Sequence, residues 1–257
     1  MYSIDLTGKT GVVFGVANQR SIAWHIALAL HEAGANIVLA YQNERLRQNV
    51  AQLVTEWENV SLVECDVSSD ENIQGAFREI ADSCDKLSFV VHSIAFANRD
   101  DLGGNFYDTP RSGFGTALDI SAYSLIAIAR HAVPLMQSGG SMIALTFNAS
   151  QQVYPGYNIM GTAKAALEHE VRQLAAELGG KNIRVNAVSP GPLDTLAARG
   201  IHGFVDMKRI HAQRAPLRRN ITHTEVASAA LFLLCDMSAG VTGTILPVDG
   251  GYHTMGV

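Results

Sequence analysis

The sequence predicts an α/β protein, in which one domain is built on a Rossmann-like, doubly wound parallel sheet of about seven strands with helices on both faces. Short runs rich in β-branched residues alternate with longer segments of helical periodicity along all 257 residues. Strands separated by helix-length crossovers pair in parallel, and their connections are right-handed. No linker, repeat or low-complexity segment interrupts the alternation. We therefore expect residues 1–257 to form a single domain.

The elements are predicted in order from these runs. Strands are expected at residues 10–16, 36–41, 59–67, 87–96, 139–147, 182–190 and 243–251. Helices are expected at residues 21–34, 69–83, 113–137, 156–180 and 222–236, with a further charged helix between the second and third strands. Gly34 favours the end of the first helix, because glycine readily adopts the left-handed conformation that closes helices.

Composition narrows the classes of function. Apolar residues make up 47% of the chain and charged residues 17%, which predicts a large buried core. The net charge of −5 argues against nucleic acid as a partner. The three cysteines lack the spacing of a metal site and suit a reducing compartment. The first residues lack a signal-peptide pattern and no run approaches 18 apolar residues, so we expect a cytoplasmic protein that does not span a membrane.

The first strand is followed by GVANQRSIAW, a candidate phosphate-binding turn. Ligands of such sheets bind outside the carboxyl ends of the strands, where the strand order reverses. Gly15 suits a tight turn, and Ser21 opens a helix whose free N–H groups suit a pyrophosphate. Ala17 and Ser21 stand where other dinucleotide-binding folds have glycine. Alone, the segment fits a purely structural turn about as well.

The next three strand ends carry further candidates for a dinucleotide site. Gln42 stands where an acidic ribose-binding residue often occurs, and its amide can still hydrogen-bond a ribose hydroxyl. Because no Arg or Lys occupies residues 41–43, NADH is favoured over NADPH. Asp66 can accept a hydrogen bond from the adenine amino group beside Val67, or it can simply stabilise a turn. The fourth strand ends in HSIAFAN, whose mostly small residues let a cofactor approach the backbone.

A tyrosine and a lysine in TFNASQQVYPGYNIMGTAK are the candidates for chemistry. Tyr157 and Lys164 lie seven residues apart, which is nearly two helical turns. Their side chains therefore share a helix face and lie about 10 Å apart along the axis. Tyrosine and lysine also share a helix face in many proteins for structural reasons alone, so the pair by itself leaves that role open.

Over nearly its whole length the sequence resembles the short-chain dehydrogenase/reductase superfamily and, within it, the bacterial enoyl-acyl-carrier-protein reductases. The matching stretches are GVANQRSIAW, AYQNERL, CDV, VHSIAFA, DISAYSL, YNIMGTAK, NIRVNAVSPGP, APLRRNIT and VTGTILPVDGG. The resemblance implies reduction of the C=C bond of a trans-2-enoyl thioester in fatty-acid synthesis, with hydride from NADH. It also implies a homotetramer, whose subunit interface the C-terminal VDGGYHTMGV would suit.

The resemblance assigns roles to the matching residues. Tyr157 would donate a hydrogen bond to the enolate oxygen, and Lys164 would hold the cofactor ribose and lower the cost of the negative charge. Ketoreductases of the superfamily have tyrosine at the place of Met160, which cannot donate a proton, so reduction of a C=C bond is favoured. The implied substrate-binding residues are Ala97, Phe147, Tyr157, Met160 and Phe204. The implied cofactor-binding residues are Gly15, Ala17, Ser21, Ile22, Gln42, Asp66, Val67, Ser93, Ile94, Ala95, Lys164, Gly191, Leu193 and Thr195.

Three positions depart from the family pattern. Phe147 stands where most bacterial members have a second tyrosine, so we assign it to the shape of the pocket and not to proton transfer. Pro190 and Asp194 stand where the family usually has alanine and arginine. These departures leave two alternatives open, namely a short-chain reductase that acts on another conjugated carbonyl and a catalytically silent NAD(P)-binding sensor.

Residues 193–219 are expected to form a substrate-binding lid. Ile201, Phe204, Met207 and Ile210 recur at helical spacing, which suits a lid helix over an acyl chain. Residues 199–219 contain six Arg or Lys residues and one Asp, which gives this segment a net charge of +5. A basic rim of this kind suits a thioester delivered on an acidic acyl carrier protein or on coenzyme A. An ordinary solvated basic helix is the alternative.

Overall fold

A seven-stranded parallel sheet runs through the computed structural model, which describes residues 4–201 and 203–256. The strand order is β3-β2-β1-β4-β5-β6-β7, and every neighbouring pair is parallel. The strands are β1 Thr10–Phe14, β2 Asn36–Tyr41, β3 Val60–Glu64, β4 Phe89–His92, β5 Gly140–Leu145, β6 Ile183–Pro190 and β7 Ile245–Val248. The predicted α/β class and doubly wound parallel sheet are confirmed.

Eight α-helices in the described residues cover the two faces of the sheet. They are α1 Ile22–Glu32, α2 Glu44–Leu53, α3 Asp70–Ser83, α4 Arg111–Leu118, α5 Ser124–Ala132, α6 Asn158–Leu178, α7 Phe204–Arg214 and α8 His223–Leu234. Val12 and Phe14 of β1 pack with buried residues of α3, α5 and α6 on one face. Val13 packs with buried residues of α1, α2 and α8 on the other. This alternation is the period of two that a strand buried on both faces requires.

Each predicted strand is present, although most are shorter than expected. The first helix ends where Gly34 predicted, with Gly34 at φ 88° just beyond α1. The main difference lies at residues 113–137, which we expected to form one helix. A wide π-helical turn, Asp119–Tyr123, separates α4 from α5 there, and a short 3-10 turn follows at Val133–Leu135.

Two serines account for the break between α4 and α5. Ser121 donates from its hydroxyl to the Phe96 carbonyl oxygen at 3.0 Å and accepts from the Phe96 N–H at 2.9 Å. Ser124 donates to the Ile120 carbonyl oxygen at 2.7 Å and contacts Nε2 of the buried His92 at 2.8 Å. Because side chains that bond to nearby backbone compete with the regular helical pattern, the widened turn is expected here. It fixes the segment that follows β4.

One helical segment of the described residues, Arg111–Leu135, is long and apolar enough by length and composition to cross a membrane, with a mean hydropathy of 1.2. The expectation that the protein does not span a membrane stays a prediction. Core helices meet the same criteria, and half of the most apolar window is buried inside the protein. Leu125, Ile128 and Ala132 of this segment belong to the core beneath the sheet.

The strand order reverses between β1 and β4, and Gly15 lies at this point. Gly15 has φ 99°, and a Cβ atom built on it would lie 2.0 Å from the Ser93 carbonyl oxygen. Any side chain at residue 15 would therefore push apart the two segments that follow β1 and β4. Ligands of doubly wound sheets bind at this reversal point, in the crevice outside the carboxyl ends of the strands. Glycine at residue 15 leaves this crevice free of a side chain.

We expect Gly15→Ala to destabilise the protein more than Gly8→Ala does. Gly8 also has a positive φ, 75°, but a Cβ atom there would meet nothing within 4 Å. Gly8→Ala should therefore cost about 1 kcal/mol for the left-handed conformation alone, whereas Gly15→Ala should cost about 2 kcal/mol more through the overlap with Ser93. Thermal unfolding followed by circular dichroism measures both, and equal losses would contradict this account.

Candidate active site

Ser21 shapes the loop between β1 and α1. It is the residue that precedes α1, yet its hydroxyl does not cap the helix. The hydroxyl oxygen accepts instead from the backbone N–H groups of Ala17 and Asn18, both at 3.1 Å. The first turn of α1 consequently has no side-chain cap, and it contains no acidic residue. The free N–H groups at this helix N-terminus carry partial positive charge, which suits the pyrophosphate of a dinucleotide. Ile22 is the first residue of α1.

Gln42 and Asp66 meet across the ends of β2 and β3. Gln42 donates from Nε2 to Oδ2 of Asp66 at 3.2 Å, and Asp66 Oδ1 accepts from the N–H and hydroxyl of Ser68 at 3.0 and 2.8 Å. Burial alone would raise the pKa of Asp66, but these hydrogen bonds outweigh it and lower the pKa. Asp66 thus performs the turn role that the sequence left open. The Oε1 atom of Gln42 remains available to a ribose hydroxyl.

Residues after β4 line the other side of the reversal point. Ser93 donates from its N–H to the Phe14 carbonyl oxygen at 3.3 Å, which continues the pairing of β4 with β1. Ile94 packs against the core, Ala95 is exposed and Ala97 is partly buried. Val67, after β3, packs against the same core. The predicted cofactor-binding residues from Gly15 to Ala95 therefore follow four adjacent strands, in the order β3, β2, β1 and β4.

Lys164 is a buried cation at the carboxyl end of β5. It is 4% exposed, and its Nζ donates to the Leu145 carbonyl oxygen at 2.7 Å. Burial lowers the pKa of Lys164 to about 8, while the negative charge of Glu168 acts in the opposite direction. An ammonium in such surroundings interacts strongly with any negative charge that develops near it.

Glu168 lies one turn beyond Lys164 on α6 and is 3% exposed. Its Oε1 atom accepts from the hydroxyls of Thr146 and Ser150 at 2.8 and 2.6 Å. Arg172 lies 3.8 Å from Oε2. The carboxylate therefore ties the turn after β5 to the helix that carries Lys164. Sequence analysis missed Glu168, although a charged residue four positions after a lysine on a predicted buried helix face was an available signal.

Tyr157 is the residue that precedes α6, and its ring lies against Phe147. The two ring centroids are 5.1 Å apart, and the planes are tilted by 56°. Burial raises the pKa of Tyr157, so the phenol stays protonated at neutral pH. No group among the described residues hydrogen-bonds its hydroxyl, which leaves it free to donate. Met160, in the first turn of α6, is 5% exposed.

The segment after β6 joins the nucleotide end to the lid. A Cβ atom on Gly191 would lie 2.7 Å from Nε2 of His211, so glycine allows α7 to approach. Leu193 is buried, and the Thr195 hydroxyl accepts from the Ala198 N–H at 3.1 Å. His211 is 3% exposed and stacks on Tyr252 with centroids 4.8 Å apart. The helix of the predicted lid is thus anchored near its end.

The apolar side of the lid is only partly covered. Ile201, Phe204, Met207 and Ile210 are all partly buried, and the last three lie in α7. A cavity of about 420 Å³ lies between α2, Leu196 and the loop of Asn18–Arg20. It borders the nucleotide loop and not Tyr157, so its volume marks no substrate pocket.

Three of the five basic side chains of the lid that the structure describes have acidic partners. Lys208 pairs with Asp194, Arg209 with Asp206 at 3.1 Å, and Arg219 with Glu225 at 2.6 Å. Asp194 and Glu225 lie outside residues 199–219, so the local charge of +5 overstated the basic character. Counting both carboxylates leaves +3. The Arg199 side chain lies outside the described part of the structure.

The structure therefore places the Phe147 ring against Tyr157 and the Lys164 ammonium against the Leu145 carbonyl oxygen, both near the end of β5. Ala97 and Phe204 come from the segment after β4 and from the start of α7. Within residues 4–201 and 203–256, no cluster of three or more His, Cys, Asp or Glu side chains could hold a metal ion.

Comparison with known proteins gives full-length matches. The sequence profile of the family described as enoyl-(acyl carrier protein) reductase matches residues 15–253. The NADH enoyl-acyl-carrier-protein reductase of Nostoc sp. is 48% identical over 257 residues, covering 99% of this chain and 100% of the relative. The NADPH enzyme of Staphylococcus aureus is 44% identical, covering 98% and 99%.

Solved structures agree with these matches. The crystal structure of the Bacillus cereus enoyl-acyl carrier protein reductase with NADP+ and indole naphthyridinone superposes with a TM-score of 0.96 at 48% identity, covering 98% of this chain and 99% of that chain. The matched region contains the phosphate-binding turn, Tyr157, Lys164 and the lid. The chain therefore belongs to the enoyl-(acyl carrier protein) reductase family.

Proposed function

We propose that the chain reduces the C=C bond of trans-2-enoyl thioesters in fatty-acid synthesis, and that bound NADH supplies the hydride. One observation carries the proposal: beyond the end of β5, a phenol whose hydroxyl has no partner among the described residues directly precedes the helix that carries a buried ammonium. Family membership supports this reaction over the two alternatives, a reductase of another conjugated carbonyl and a silent sensor.

Tyr157 is the proposed hydrogen-bond donor. Negative charge develops on the thioester oxygen as the double bond is reduced, and a donor in a partly water-excluded site stabilises it. The tilted contact with Phe147 restricts the orientation of the phenol ring. Phe147 itself has no polar atom, so it shapes the pocket and does not donate.

Lys164 is proposed to act through its charge. Its ammonium is held by the Leu145 carbonyl oxygen and would lower the cost of negative charge near the thioester. The other donor positions of the ammonium can hold a ribose hydroxyl. The uncapped start of α1, with the turn at Gly15 and Ser21, would hold the pyrophosphate.

We favour NADH over NADPH as the cofactor. Gln42 is bonded to Asp66, whose lowered pKa keeps it ionised, and a carboxylate at this place repels a 2′-phosphate. Of the nearby cations, Arg47 is paired with Glu44 at 3.3 Å. The relatives' names include both cofactors, so the choice rests on these contacts.

We further propose that the protein acts in the cytoplasm as a homotetramer. Exposed apolar side chains on the outer surface, which include Phe114, Met237 and Met255, support association of subunits. The carrier of the acyl chain is proposed to be acyl carrier protein, with coenzyme A as the alternative.

Tyr157→Phe should abolish most of the turnover. The variant keeps the ring but loses the hydroxyl proposed to donate to the enolate oxygen, so kcat should fall by on the order of 100-fold or more. Oxidation of NADH with a trans-2-enoyl thioester measures this loss, while the Kd of NADH should stay within about two-fold. Tyr123→Phe is the matched control, because the Tyr123 hydroxyl contacts Asp70 at 3.4 Å and lies away from Phe147. Full activity in Tyr157→Phe would refute the assignment.

The rate should fall as the pH rises through about 8, because Lys164 then loses its proton. Glu168→Gln removes the carboxylate that raises the pKa of Lys164, so the midpoint of this fall should move to lower pH. Two other titratable groups of the region do not interfere: burial lowers the pKa of the neighbouring His92 to about 3, so it is neutral, and burial raises the pKa of Tyr157, so its phenol stays protonated. The pH dependence of kcat/KM measures the midpoint.

The control for this experiment is Glu177→Gln. Glu177 is an exposed carboxylate on the same helix, about 20 Å further along the axis than Lys164. Its loss should leave the midpoint unchanged. An unchanged midpoint in Glu168→Gln would show that the two buried groups do not interact.

Charge reversal on the lid tests the proposed carrier. Arg214 and Arg209 are exposed on α7, and Arg209 is already paired with Asp206. Arg214→Glu together with Arg209→Glu should lower kcat/KM for carrier-linked substrate by about 10-fold and for a short free thioester by less than about two-fold. Arg78→Glu, at an exposed position of α3, is the control. Equal losses for both substrates would exclude docking by charge.

A further inference from the structure

Three aromatic rings form a row beside the candidate catalytic pair. Phe147 contacts the ring of Tyr157 at a centroid distance of 5.1 Å and that of Tyr154 at 4.8 Å, tilted by 56° and 51°. Tyr154 also accepts, through its backbone carbonyl, from the Tyr157 N–H at 3.1 Å. The turn before α6 therefore places two tyrosines against one phenylalanine.

The hydroxyl of Tyr154 is held as an acceptor, with its own proton free. Asn148 donates from Nδ2 to this oxygen at 3.2 Å, and no acceptor for the Tyr154 hydroxyl hydrogen occurs among the described residues. Tyrosine O–H can donate and accept at once. Burial raises the pKa of Tyr154 to about 12, so the donor stays protonated in the working range.

A phenol at this place matters because of Phe147. That residue occupies the place where the sequence resemblance has a second tyrosine, and its ring cannot donate. Tyr154 presents a donor against the same ring, on the turn that also holds Tyr157. Its side chain is only partly buried.

We propose that Tyr154 supplies the second hydroxyl of the acyl site and donates a hydrogen bond to the thioester end of the substrate beside Tyr157. The proposal rests on the proposed function. It makes Tyr154 a residue of the reaction and the Asn148 side chain the group that orients it. The Tyr154 hydroxyl takes the place of the hydroxyl that Phe147 lacks, and the turn before α6 needs no change in its fold.

The test compares Tyr154→Phe, Phe147→Tyr and the double variant in the NADH oxidation assay with a trans-2-enoyl thioester. Tyr154→Phe keeps the ring against Phe147, and kcat should fall by on the order of 10-fold with KM and the Kd of NADH within about two-fold. In the double variant, a hydroxyl at residue 147 should restore at least about half of the wild-type kcat. Recovery of this kind is not expected from a residue that only supports the fold.

Two further variants separate the outcomes. Tyr123→Phe should retain the wild-type rate, and Asn148→Ala, which keeps the Tyr154 hydroxyl, should lose less than Tyr154→Phe. Turnover by the wild type together with an unchanged Tyr154→Phe, or with no recovery in the double variant, would overturn this proposal alone. Absence of wild-type turnover on any enoyl thioester would overturn the proposed function and this proposal with it.

Discussion

The buried positive charge of Lys164 is the constraint on which the chemical end of the molecule depends. An ammonium that is 4% exposed is costly unless fixed dipoles and a counter-charge surround it. The Leu145 carbonyl oxygen provides the first, and Glu168 provides the second. Glu168 also accepts from Thr146 and Ser150, so the arrangement that compensates the charge holds the turn carrying Phe147 against α6. Glu168 thus both stabilises the charge of Lys164 and holds in place the turn that carries the Phe147 ring.

At the nucleotide end, the equivalent constraint is a helix start that stays open. Ser21 is in the position from which serine usually caps a helix, but its hydroxyl is committed to Ala17 and Asn18 in the preceding loop. The loop is thereby closed without the use of the N–H groups of α1. Gly15 completes the arrangement, because only glycine allows the backbone to pass so near Ser93. The Ser21 hydroxyl accepts from the N–H groups of the loop, so the free N–H groups at the start of α1 can bind an anion.

The sequence predicted the strands and the crossover helices, because β-branched runs and helical spacing are local properties. Motif order singled out Tyr157 and Lys164, whose roles stay predictions. The sequence did not predict what depends on contacts between distant segments. The break between α4 and α5 follows from Ser121 and its bonds to Phe96, 25 residues away. The basic character of the lid was overestimated because Asp194 lies outside the counted segment and pairs with Lys208. The role proposed for Tyr154 depends on the contact between its ring and Phe147, which no local pattern predicts.

The position of Tyr157 at the start of α6 has an electrostatic consequence. The helix is 21 residues long, its start carries no side-chain cap, and its first turn contains no acidic residue. The aligned peptide dipoles of a helix amount to roughly half a positive charge at its N-terminus. In the proposed reaction the enolate therefore forms beside the positive pole of α6, and the macrodipole reinforces the phenol. An aspartate or glutamate in this turn would cancel that field, and the neutral stretch PGYNIMG preserves it.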